Sequence, residues 1–196
     1  MLNSLAIVHA EQGRFDEARA HFESALSISR ELGDRRQEGL VLGSLGSLNI
    51  EQGRLGIGRE QSEAALAIHR DTGERVEEGQ ALANIAMLDQ AAGRVEAARS
   101  NFFAALAIAR DARNRRQEGV VLGYLGALES EKGQLDGARL YYDQALAIHR
   151  AVGRCKPQCT PVPVYSAFSL HGPRAELSFP SARGKLSGAD SRYGDS

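Results

Sequence analysis

Apolar residues recur along this chain at a helical step, and the helices themselves recur every 40 residues. Leu42, Leu45, Gly46 and Leu48 fall at i, i+3, i+4 and i+6, along one face of an α-helix. Beyond Gly53 a second stripe follows, through Leu55, Gly58, Ser62, Ala65, Leu66 and Ile68. Each unit therefore reads as helix A, a tight turn, helix B and a short connection. The pattern predicts an all-α chain.

Several columns keep the same step. Leu5, Leu45, Ile85 and Leu125 align, each followed by a small residue. Ala25, Ala65, Ala105 and Ala145 are invariant, and Ile28, Ile68, Ile108 and Ile148 close each copy. Gly13, Gly53, Gly93 and Gly133 mark where helix A stops, and Gly73 and Gly153 where helix B ends. Asp34 with Gln37, and Asn114 with Gln117, have capping-box spacing at the start of helix A. Gly39, Gly79 and Gly119 recur inside helix A, where glycine costs about 1 kcal/mol against alanine. Close approach of neighbouring helices accounts for them.

The small-residue columns resemble the tetratricopeptide signature. Leu45-Gly46, Gly53, Gly58, Ser62 and Ala65 carry it in one copy, and Leu125-Gly126, Gly133, Ala138, Tyr142 and Ala145 in another. The resemblance covers residues 1–153 and implies a right-handed α-solenoid of about three and a half helical pairs. Two departures stand out. The unit is about six residues longer than the family's usual one, as in the repeats of kinesin light chains and of bacterial regulators. The aromatic common late in helix A is replaced by His9, Asn49, Asp89 and Glu129.

Met1 aligns with Val41, so the first copy, 1–33, is short, while 34–73, 74–113 and 114–153 are complete. A piece of a longer protein is the expectation. After Gly153 the pattern ends, and all five prolines and both cysteines fall in residues 154–196. A largely disordered tail is expected there, with a frameshift in the coding sequence as one origin.

Composition narrows the function classes. Formal net charge is −1, which gives no electrostatic reason to expect nucleic acid or an anionic membrane as partner. No stretch approaches 18 apolar residues, and the opening Met1–Leu5 does not read as a signal peptide. A cytoplasmic setting is the default. Cys155 and Cys159 have neither zinc-finger spacing nor further ligands nearby, so no metal or cofactor is expected.

His69 and His149 share a column with Ser29 and Ala109, which reads as a tolerant, partly exposed position. Arg35, Arg75 and Arg115 precede Glu38, Glu78 and Glu118 by three residues, the spacing of solvated surface pairs. Neither set offers a positioned nucleophile or base, so catalysis is not expected.

The resemblance places a binding surface on the inner face, on helix-A positions flanking the Leu-Gly/Ala pair. Carried onto this chain, these include Asn3, Ser44, Ser47, Asn84, Met87 and Tyr124. Asn84 stands where similar repeats hydrogen-bond a peptide backbone. The implied function is protein–protein interaction, with a peptide or partner domain on the concave face. The alternative is a regulatory piece of a larger signalling ATPase, kinase or transcription regulator. Tyr141, Leu146 and Ile148 on the last helix are expected to stay uncovered and to favour self-association.

Overall fold

The computed structural model describes residues 2–153, and the expected disordered tail and its cysteines lie outside them. The described residues form eight α-helices: α1 (Leu2–Glu11), α2 (Phe15–Glu31), α3 (Arg35–Glu51), α4 (Leu55–Thr72), α5 (Arg75–Ala91), α6 (Val95–Asp111), α7 (Arg115–Glu131) and α8 (Leu135–Gly153). They alternate as helices A (odd numbers) and B (even numbers), giving four antiparallel pairs stacked in chain order as a tetratricopeptide-like solenoid.

The boundaries follow the local chemistry read from the sequence. The Asp34 side chain accepts from the Gln37 backbone N–H at 3.0 Å, and Asn114 accepts from Gln117 at 3.1 Å. Each satisfies a donor that the first helical turn leaves unpaired. Gly53 (φ +72°) and Gly73 (φ +74°) occupy the left-handed region that turns the chain out of a helix. Arg113 (φ +53°) takes that conformation where the other repeats have Gly33 and Gly73.

The core is thin and rich in alanine. Ala18, Ala65, Ala98 and Ala105 are fully buried, with Phe102, Leu122, Leu125 and Leu128 filling the larger spaces. Helices A and B approach closely where both lack bulk. A Cβ added at Gly46 would lie 2.7 Å from Ser62 Oγ, and one at Gly58 would lie 3.2 Å from the Gly46 carbonyl oxygen. Gly39, Gly46, Gly79, Gly119 and Gly126 of the A helices thus act in packing.

One column departs from its repeats. Ile68, Ile108 and Ile148 are buried and pack against Gly39, Gly79 and Gly119, whereas Ile28 is 45% exposed. α1 has 10 residues against 17 in α3, so Ile28 lacks the turn of helix A that would cover it. Ile148, expected to be uncovered, is instead 5% exposed because its own repeat supplies Gly119.

Successive A helices touch one another (α1 with α3, α3 with α5, α5 with α7), more than successive B helices do. The A side is therefore the inner side of the stack.

Candidate binding surface on the inner helices

Two shallow clefts open along this inner side. One, of about 150 Å³, lies between α3 and α5 and is lined by Leu40, Gly43, Ser44, Ser47, His69 and Gln80, among others. The second, of about 260 Å³, lies between α1 and α3, with Ile7, Phe22, Ser44, Ser47 and Glu51 in its wall. Ser44 and Ser47 line both, because they sit on the ridge of α3 between them.

The six residues picked out from the sequence take different situations. Ser44 donates to the Leu40 carbonyl at 3.0 Å and Ser47 to the Gly43 carbonyl at 3.1 Å; the Ser44 hydroxyl keeps its acceptor capacity, whereas that of Ser47 is shared with Asn84. Asn84 is 4% exposed, and its Nδ2 donates to Ser47 Oγ at 2.9 Å while its Oδ1 accepts from Gln80 at 3.3 Å. It ties α5 to α3. Asn3, on α1, is half-buried, and its Oδ1 is enclosed without a hydrogen-bond partner. Met87 is half-buried against the central core, and Tyr124 stacks on Phe102 with ring centroids 5.5 Å apart at 16°. The structure thus joins Ser44, Ser47 and Asn84 into one patch, with Met87 further along α5 and Asn3 and Tyr124 on the neighbouring helices α1 and α7.

The electrostatics of this face are acidic at one edge. Glu51 is exposed at the rim, and partial desolvation by the surrounding protein raises its carboxyl. Burial raises the Tyr124 phenol, and the negative charge of Glu51, two A helices away, adds to it.

The histidine column is not partly exposed. Ser29, His69 and Ala109 are 3%, 2% and 2% exposed, and only His149 is half-buried. The His69 ring lies on Gly39, where an added Cβ would sit 2.9 Å from Cε1. Gly39 and Gly119 make room for the imidazoles of His69 and His149, while Ser29 and Ala109 in the same column are small. Burial lowers the His69 pKa, against the raising influence of Glu77, Glu74, Glu78 and the Gly39 backbone.

The arginine–glutamate pairs also differ from solvated surface pairs. Glu38, Glu78 and Glu118 are buried, and each is held by two guanidinium groups. The second comes from the preceding helix B: Arg30 at 3.0 Å, Arg70 at 3.1 Å and Arg110 at 3.1 Å. The signal was an arginine column at the 40-residue step, Arg30, Arg70 and Arg110, which pairs across helices rather than within one. For Glu38, burial raises the pKa, but hydrogen bonds from Arg30 and Arg35 outweigh it and hold the carboxyl below the usual range.

The column that replaces the family's aromatic is a second polar junction. Asp89 accepts from Arg59 at 2.7 Å, from Arg94 at 2.9 Å and from Asn101 at 3.0 Å. Asn49 donates to Gln61 at 2.7 Å, Glu129 faces Arg99 at 3.6 Å, and His9 stacks on His21 at 5.1 Å. These groups serve the joints between helices. They offer no assembled catalytic set, and no group of three or more metal-ligating side chains occurs among the described residues. No helix there is long and apolar enough to cross a membrane.

A family model described as tetratricopeptide repeat matches residues 1–71 and 77–151. The chain belongs to the tetratricopeptide-repeat family, whose members act through protein–protein contacts. Among solved structures it is similar to BtubC (BKLC) from P. vanneervenii, at 24% identity and a TM-score of 0.65. The match covers 76% of this chain and 61% of that one, so the chain spans less than two thirds of that protein's length. No curated protein sequence matches.

Proposed function

We propose that the inner helix-A face binds a peptide segment or partner domain, with Asn3, Ser44, Ser47, Asn84, Met87 and Tyr124 as its contact residues. One observation supports this reading: Ser44 and Ser47 form the common wall of two adjacent clefts, Ser44 with its acceptor lone pairs free and Ser47 with one left beside the Asn84 amide. Hydroxyl acceptors at this spacing suit backbone N–H groups of an extended or helical ligand. Met87 and the Tyr124 ring add apolar contact, and the Glu11, Glu51 and Glu131 edge favours mixed or basic polarity over an acidic tail. Asn84 acts by holding Ser47 in place and meets a ligand only at the margin of its buried amide.

The test selects peptides from a random displayed library on the full chain and measures their affinity for variants. Ser47→Val and Tyr124→Ala are expected to weaken binding about tenfold each, the effect of losing one hydrogen bond or one aromatic contact. Full affinity in both variants, with unchanged helical circular dichroism, would place the binding surface elsewhere.

A further inference from the structure

The two polar junctions repeat as a ladder, and its last rungs stand open. Each B helix carries two arginines eleven residues apart: Arg19 and Arg30, Arg59 and Arg70, Arg99 and Arg110, Arg139 and Arg150. Eleven residues span three helical turns, about 16 Å, so each pair lies on one face. In the interior that face meets the next helix A, which answers with acceptors also eleven residues apart. Arg70 and Arg59 take Glu78 and Asp89; Arg110 and Arg99 take Glu118 and Glu129. The later arginine takes the earlier carboxylate, so the two helices run antiparallel. Between the rungs lies a leucine that the next repeat covers: Leu66 is 9% exposed and Leu106 3%.

On α8 the donors are the same, and no described residue supplies the acceptors. Leu146, in the Leu66 and Leu106 column, is 48% exposed. The Arg139 side chain is 85% exposed, against 28% for Arg59 and 37% for Arg99, and among the described residues reaches only Asp143 of its own helix, at 3.9 Å. Arg150 has no carboxylate within 4 Å among the described residues.

We propose that this face of α8 docks a helix of a partner protein that carries two carboxylates eleven residues apart, bracketing an apolar stripe, and that lies antiparallel to α8. The argument is charge complementarity read from the chain's own junctions. A second copy of this chain fits poorly, because α1 would set His9 where Asp89 and Glu129 stand. The chain's own continuation has Gln158 and Ser169 in the carboxylate registers, so its sequence supplies neither rung.

The probe is a synthetic, staple-constrained helix with the α7 sequence, labelled for fluorescence anisotropy and titrated against the full chain. It carries Glu118 and Glu129 in the required register. Binding is expected to weaken with salt, and about tenfold in the double variant Arg139→Glu, Arg150→Glu, since exposed ion pairs contribute modestly and their reversal repels. A probe with both glutamates changed to lysine should recover affinity for that variant and lose it for the parent. Absent binding, or binding indifferent to both charge reversals, overturns the proposal. So does hydrogen exchange showing α8 as protected as α6 in the probe-free chain, which would mean that this chain, or a second copy, already covers the face.

Discussion

The Arg59 guanidinium on α4 lies 2.7 Å from Asp89 Oδ1 on α5, so one ion pair joins two consecutive repeats. Asp89 is 4% exposed and also accepts from Arg94 and Asn101. An enclosed carboxylate holds only when its lone pairs are met, and here four donor groups converge on it. A solenoid is cooperative only through the contacts between neighbouring repeats, so a joint of this kind matters beyond its own energy.

Asp89→Ala removes the acceptor and strands Arg59, whose side chain is 28% exposed and so keeps some hydration. The expected loss is about 2–4 kcal/mol, toward the low end of what breaking a buried pair costs. Asp89→Asn should lose about half as much, because Asn49 occupies the equivalent place and its amide donates to Gln61 there, although its Oδ1 is enclosed without a partner. Urea unfolding followed by circular dichroism measures both. Equal losses for the two variants would show that charge, rather than hydrogen bonding, dominates the joint.

Glycines of helix A should respond to alanine with opposite signs. At Gly46 a Cβ would meet Ser62 Oγ at 2.7 Å and the Ser62 backbone nitrogen at 3.3 Å, so the pair α3–α4 must separate. Overpacking of this kind costs about 1–3 kcal/mol and outweighs the helix propensity gained. At Gly123 nothing lies within 4 Å of the added carbon, and Gly123→Ala should stabilise by about 1 kcal/mol. Thermal melts of the two single variants give the comparison directly. A gain at Gly46 would contradict the close helix crossing.

What the sequence made legible follows from distance along the chain. The turns at Gly53 and Gly73 and the caps at Asp34 and Asn114 are local, and each was readable from residues within one turn of itself. The repeat period then supplied the pairing of helices. The Arg30–Glu38 clamp was missed because an i, i+8 contact crosses from one helix to the next, where no single-helix spacing reports it. The histidine column was misread for a related reason. Exchange among Ser29, His69 and Ala109 looked like exposure, yet all three are buried, and the glycine facing His69 makes room for its larger ring. Asn84 was placed on the right helix, but whether its amide faces a ligand or Ser47 depends on the distance between α3 and α5.

Arg113 offers a stabilising substitution. Its φ of +53° is a conformation that costs an L-residue about 1–2 kcal/mol, and the equivalent Gly33 and Gly73 adopt it freely. Glycine also loosens the unfolded chain by about 0.5–1 kcal/mol, so Arg113→Gly should gain roughly 0.5 kcal/mol net. The structure assigns the Arg113 side chain no ion pair with a described residue, so little else is lost. Urea midpoints at pH 7 check it. A lower midpoint would mean that the arginine side chain contributes more than its backbone costs.

Acid should weaken the array in two stages. Burial lowers the His69 pKa, so the fold favours the neutral ring. Its contribution is complete above the unfolded value of about 6.5 and is lost as the pH falls through that value toward the folded one. Asp89 and Glu38 are also lowered: burial alone would raise each carboxyl, but Arg59 and Arg94 on one, and Arg30 and Arg35 on the other, outweigh it. Their stabilisation is present above about pH 4 and lost below it, as the pH falls through their folded values. Glu51 is raised by partial desolvation and acts in the opposite sense, but its exposure to solvent keeps that contribution small. Unfolding free energies measured from pH 8 to pH 3 should therefore fall first below about 6.5 and more steeply below about 4. His69→Ala has the residue of the third repeat, Ala109, as its precedent; it should remove the first stage and leave the second. A first stage that persists in that variant would assign it to another group and leave His69 without a part in the acid response.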